Sequence, residues 1–167
     1  ANANSGLDTI QLETGTYTFS LAGAGEDAAA TGDLDITESL DIIGRGINAT
    51  TIDANDLDRL LHIPDDANIV VRLTDLTLTN GAVTGDGGGI LNGGQLELTR
   101  VKIASSTATG FGGAIYNSIT STNDIPITIT GSHLADNQAG GGGGGLYTTE
   151  KALITDSTFS GNTAGGA

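Results

Sequence analysis

The chain has 167 residues, 27 of them Gly, with 20 Asp and Glu against 6 Lys and Arg, for a formal charge of −14. It contains no Cys, Met or Trp, which excludes a disulfide scaffold, a thiolate zinc site and a cysteine nucleophile. No apolar run approaches the roughly 18 residues a membrane helix needs, and an acidic surface repels phosphate backbones. The chain is therefore expected neither to span a membrane nor to bind nucleic acid.

Apolar residues come in short alternating runs along the chain: Ile10 to Leu12, Tyr17 to Leu21, Leu34 to Ile36, Leu40 to Ile42, Leu76 to Leu78, Leu96 to Leu98, and Ile125 to Ile129. Period-two alternation bounded by Gly, Asn and Asp predicts strands. The stretch Gly23 to Gly32 reads as a short helical turn or a loop, and no helical stripe exceeds two turns. The chain is all-β.

The second half repeats. Leu73 to Leu78 superposes on Leu98 to Ile103, then Ile129 to Leu134, then Ile154 to Phe159, at offsets of 25, 31 and 25 residues. The same offsets carry Gly87 to Asn92 onto Gly112 to Asn117 and Gly143 to Thr148. The longer offset is one repeat plus six residues, placed around Ser118 to Asp124. Two blocks in one register predict a single-stranded right-handed parallel β-helix of about 25 residues per coil. A β-sandwich also gives short alternating strands, but it need not keep such a register.

In that coil, Leu78, Ile103, Leu134 and Phe159 form one interior ladder and Ile90, Ile115 and Leu146 a second. Val83, Ala108, Ala139 and Ala164 fill a narrow corner. Glycines before Ile90, Ile115 and Leu146 supply turns with φ above zero and close backbone approach. Asn137 and Asn162 share a slot, with the left-handed conformation and amide stacking as expected uses. Gly81 and Ser106 occupy that slot in the earlier coils. Residues 1–167 are expected to form one domain, with irregular coils over 1–72 and repeats over 73–167. Ile10 to Leu21 is a candidate cap. The lack of Met at Ala1 and the stop at Ala167 inside a repeat lead us to expect a processed chain or a piece of a longer solenoid.

The segments Gly32 to Asn55, Leu57 to Ile63, Gly112 to Asn117 and Phe159 to Ala164 resemble bacterial secreted parallel β-helix proteins of the CSLREA-domain kind. They are also similar to the GGAI and FxxN repeats of polymorphic outer-membrane proteins, within the pectin-lyase-like class of folds. GGAI is intact at Gly112 to Ile115 and altered at Gly143 to Leu146. FxxN is met at Phe159 to Asn162, and at Leu134 to Asn137 with Leu for Phe. The resemblance implies an extracellular or cell-surface solenoid with a structural or adhesin-like role and a carbohydrate or cell-surface ligand.

Chemistry is thinly signalled. Asp53, Asp56, Asp58, Asp65 and Asp66 read as solvated turn residues rather than a glycosidase carboxylate pair. Arg72 and Arg100 are the best cations for a lyase base but lack a carboxylate cluster at matching positions, and Arg100 to Lys102 aligns as an ordinary repeat strand. His62 and His133, without Cys, do not suggest a transition-metal site. Gly85 to Gly89 lacks the Lys and helix of a phosphate loop. Asp33, Asp35, Asp53, Asp56 and Asp86 offer hard oxygen ligands for Ca²⁺, although turn formation explains them as well. Asn48 to Thr50 is a glycosylation sequon of low specificity. We expect no catalytic residues and no required cofactor. End-to-end homo-assembly through open coil ends is the first alternative, and a polysaccharide lyase or hydrolase the second.

Overall fold

The computed structural model describes residues 7–23, 31–118 and 127–166. Among them all secondary structure is β, and every strand pairs in parallel with a strand of at least one adjacent coil. The result is a parallel β-solenoid. Its widest sheet stacks Asp8–Gln11, Leu40–Ile43, Val70–Thr79, Gln95–Ala104, Ile127–Thr130 and Ala152–Thr155 in that order. A second sheet stacks Leu34–Asp35, Leu61–Ile63, Ile90–Asn92, Ile115–Asn117 and Leu146–Thr148. A third, narrow one stacks Ala82–Val83, Thr107–Ala108, Gln138–Ala139 and Thr163–Ala164.

The register is the one the repeats predict. Leu73 and Leu78 pair with Leu98 and Ile103. These pair with Ile129 and Leu134, and these in turn with Ile154 and Phe159. Ile90, Ile115 and Leu146 are in line, as are Val83, Ala108, Ala139 and Ala164. Upstream the coils are longer and unequal: Leu40 pairs with Val71, Leu34 with Leu61, and Gly15 with Thr50. That inequality is why no repeat is legible before Leu73. In the candidate cap region Asp8–Gln11 and Gly15–Thr18 pair in parallel with strands of the next coil. Residues 24–30, within the stretch read as a turn or loop, lie outside the described residues, as do 119–126, which take in most of the stretch where the six-residue excess was placed.

Alternation turns one row of each strand inward. Leu78, Ile103, Leu134, Ile90 and Ile115 are all 0% exposed, and such burial is worth roughly 1.5–3 kcal/mol per side chain. The ladders loosen toward the last coil, where Leu146 is only partly buried and Phe159 is 40% exposed.

Corners are built from left-handed residues that recur with the coil. Asp75, Arg100, Gly131 and Asp156 have φ of 56°, 51°, 58° and 52°. Asn80, Ser105, Asp136 and Gly161 have 56°, 55°, 56° and 64°. The left-handed residue thus sits one position before Asn137 and Asn162, not on them. Their side chains are needed inside. Asn137 Oδ1 accepts from the Ser106 N–H at 3.0 Å, and Asn162 Oδ1 accepts from the Asn137 N–H at 3.0 Å and from Nδ2 at 2.9 Å. Asn137 Nδ2 also donates to the Ile103 carbonyl at 3.0 Å. The row starts where the Gly81 N–H donates to Ser106 Oγ.

The third corner needs glycine. Gly87, Gly112 and Gly143 have φ of 70°, 69° and 70°. Beyond them, a Cβ on Gly88 would lie 2.5 Å from the Gly113 carbonyl oxygen. At this approach the backbone ladder runs unbroken through the turn: Gly88 N–H donates to Gly112, and Gly113 N–H to Gly143, at 3.1 and 3.0 Å.

Two truncations test the gradient of burial. Ile103→Ala is expected to cost about 2–5 kcal/mol. Phe159→Ala should cost less than about 1.5 kcal/mol, because its ring is already largely in water. Urea midpoints of the two variants, read with far-ultraviolet circular dichroism, check the difference.

Candidate functional site

Most of the charged residues singled out in the sequence are occupied with structural work. Asp53 accepts hydrogen bonds from the Asn55 N–H and Asn80 Nδ2, each at 2.9 Å. Asp66 accepts from the Asn68 N–H and Nδ2, and Asp86 from the Phe111 N–H of the next coil at 2.7 Å. Asp56 is an exposed left-handed turn residue and Asp65 is exposed. Arg72 lies between acids of the coils on either side, 3.0 Å from Glu97 and 3.5 Å from Asp41. Arg100 grips Asp75 with two hydrogen bonds of 2.6 and 2.7 Å, which hold the Asp75 carboxyl below its ordinary range. His133 is exposed on its strand.

One cluster departs from this pattern. Pairing of Leu34–Asp35 with Leu61–Ile63 turns Leu61 and Ile63 inward and sets Asp35 beside His62. His62 Nδ1 and Asp35 Oδ1 are 2.9 Å apart. Asp33, just before the strand, is 6% exposed and lies 3.1 Å from Arg59 Nε in an ion pair whose N–H is not aligned on the carboxylate. Asp58, expected to be a solvated turn residue, is 2% exposed. Its Oδ1 accepts the Arg59 N–H at 2.8 Å, while its Oδ2 is buried without a hydrogen-bond partner. Burial is the main force on Asp33. Together with Asp58 and Asp35 it outweighs the pull of Arg59 and His62, and raises the carboxyl to about 6. Sequence reasoning separated these residues because the first coils follow no repeat. The signal present was Asp33-x-Asp35 on one short strand with a histidine on the next.

A second feature is on the outside. Phe111, Tyr116 and Tyr147 are three of the chain's six Phe and Tyr residues, and they meet on one face. Tyr116 and Tyr147 stack at 5.3 Å with rings 2° from parallel, and Phe111 tilts against Tyr147 at 4.7 Å. Phe111 is 42% exposed. Register places the tyrosines in line, and Gly141 leaves room for the Phe111 ring, which would lie 2.9 Å from a Cβ there.

A buried amide row also escaped the sequence reading. Asn92 Nδ2 donates to Asn117 Oδ1 at 2.6 Å, and Asn117 Nδ2 to Thr148 Oγ1 at 2.9 Å. Both asparagines were visible in the glycine block, and their shared offset was the available clue.

Comparison of the chain with family models, with curated proteins and with solved structures yields no match. Among the described residues no helix is long and apolar enough to cross a membrane.

The raised Asp33 carboxyl has a signed consequence. Between the unfolded value near 4 and the folded value of about 6, the native state binds more protons than the unfolded one. This group's contribution to stability therefore declines as pH rises through that window. In buffer containing a chelator, Asp33→Asn should flatten the pH dependence of urea stability between about pH 4 and 6. An unchanged slope would show that Asp33 does not carry it.

Proposed function

We propose that this chain is a non-enzymatic structural or adhesin-like module of an extracellular or cell-surface protein. The observation that carries the reading is the continuous coil-to-coil bonding. Backbone ladders, aliphatic rows and two amide rows use the interior for cohesion. The charged groups of the outer faces pair from one coil to the next, as in Asp41–Arg72–Glu97 and Asp75–Arg100. Such a body resists bending and holds its surface side chains at fixed spacing. The resemblance of Gly112 to Ile115 and Phe159 to Asn162 to secreted CSLREA-type and polymorphic outer-membrane repeats supports the same reading, as does a net charge that keeps the surface solvated.

The aromatic face favours a carbohydrate as the adhesin-type ligand. The exposed Phe111 ring, with the half-buried Tyr116 and Tyr147 beside it, offers apolar surface for stacking, and an acidic surface disfavours anionic polymers. The carbohydrate-cleaving alternative needs carboxylates converging in an accessible groove. Asp33, Asp35 and Asp58 do converge, but behind little exposed surface.

Incubation with polygalacturonate is expected to release no new chain ends, and turnover abolished by Asp33→Asn would overturn the non-enzymatic reading. Electron microscopy across a concentration series should show single short particles. Filaments lengthening with concentration would instead favour an end-to-end fibre subunit. In a screen of neutral oligosaccharides, any binding should weaken by about tenfold or more in Tyr147→Ala, the loss of roughly one ring's stacking.

A further inference from the structure

We propose that Asp33, Asp35 and His62 form a divalent-cation site, and that the imidazole makes it a site for a zinc-like ion rather than calcium. One ligand atom from each residue lies within 4.8 Å of the other two. The 2.9 Å between His62 Nδ1 and Asp35 Oδ1 serves a proton held between them. Two ligands that each sit about 2.0–2.2 Å from one tetrahedral ion stand roughly 3.4 Å apart, so the pair needs to open by only about half an ångström to bind one. Asp33 completes the set, with its Oδ2 3.1 Å from Arg59 Nε.

Charge argues for the cation. Asp33, Asp35 and Asp58 are three carboxylates in largely buried surroundings, against one guanidinium, that of Arg59. Among the described residues the carboxylates outnumber the guanidinium, and like charges held close together out of water repel one another. A divalent ion between them offsets that repulsion.

Asp58 gives a second, independent pointer. Its Oδ2 is buried and has no donor, although ordinary packing rarely leaves a carboxylate oxygen so placed. It is aimed at the Gly32–Asp33 step, 2.6 Å from where a Cβ on Gly32 would stand, and its charge bears on the Asp33 carboxyl. Asp58 stands outside the three converging ligands, where it would accept a hydrogen bond from a water beside the site. An open depression lined by Phe19, Ser20, Leu21, Thr31, Gly32 and Asp33 reaches only the Asp33 edge of the cluster, a path for a small ion and not a groove for a polymer.

Ligand chemistry selects the ion. Calcium takes six to eight oxygens, whereas zinc accepts a nitrogen and two carboxylates and keeps a position for water.

The test uses the whole 167-residue chain, stripped with a chelator and titrated with Zn²⁺, with Ca²⁺ as the parallel arm. We expect one Zn²⁺ per chain by calorimetry and a rise in Tm that the chelator reverses. Zn²⁺ should move the ring nitrogen resonances of His62 and leave those of His133, the only other histidine, in place. His62→Asn keeps an N–H toward Asp35 but offers no imidazole, and should weaken Zn²⁺ binding by well over about tenfold with the β circular dichroism unchanged. The proposal is overturned by any of four outcomes: no saturable Zn²⁺ uptake, an unmoved His62 resonance, Zn²⁺ affinity retained in His62→Asn, or an equal Tm response to Ca²⁺. The resonance shift is read on the unmodified chain, so it decides the question even if the variant fails to fold.

Discussion

Everything in this molecule follows from parallel strands stacking coil on coil at the ordinary strand spacing of about 4.8 Å. Each residue then has one neighbour above and one below, at the equivalent position. A polar group that cannot be satisfied within its own coil must be satisfied by the next. The interior amide rows, the glycine turn whose carbonyls feed the following turn, and the Arg72 and Arg100 ion pairs all answer that requirement. Aromatics are scarce inside for the same reason: a row closed at this spacing takes aliphatic side chains readily, and none of the fully buried large side chains is aromatic.

The requirement explains what could be read from the amino acids. Over residues 73–167 every row keeps offsets of 25, 31 and 25, so Leu78, Ile103, Leu134 and Phe159 identified one another without coordinates. The left-handed corners were harder. Asp75, Arg100, Gly131 and Asp156 share a backbone conformation but no side-chain type, because the corner constrains φ and leaves the side chain in water. Asn137 and Asn162 attracted that assignment as good left-handed residues, yet their amides are consumed inside. Before Leu73 unequal coil lengths hide the register, and with it the approach of Asp33 and Asp35 to Asp58 and His62.

The acidic cluster and the ordinary surface acids differ in what surrounds them. Asp75 meets an arginine from the adjacent coil in water and is held ionised. Asp33 meets Arg59 in poor alignment, next to two other carboxylates and out of water, and its carboxyl rises. The same residue type thus serves as solvated trim in one coil and as a concentrated charge in another. Only the neighbouring coil distinguishes them.

The coil running from Gln95 to its successor is six residues longer than those that follow the plain repeat, yet all rows on both sides of the excess stay aligned. Asn117 still faces Thr148, and Ile127 still faces Ala152. Length between those strands is therefore decoupled from register. The chain can take extra residues between Asn117 and Ile127 while the strands on either side keep their partners.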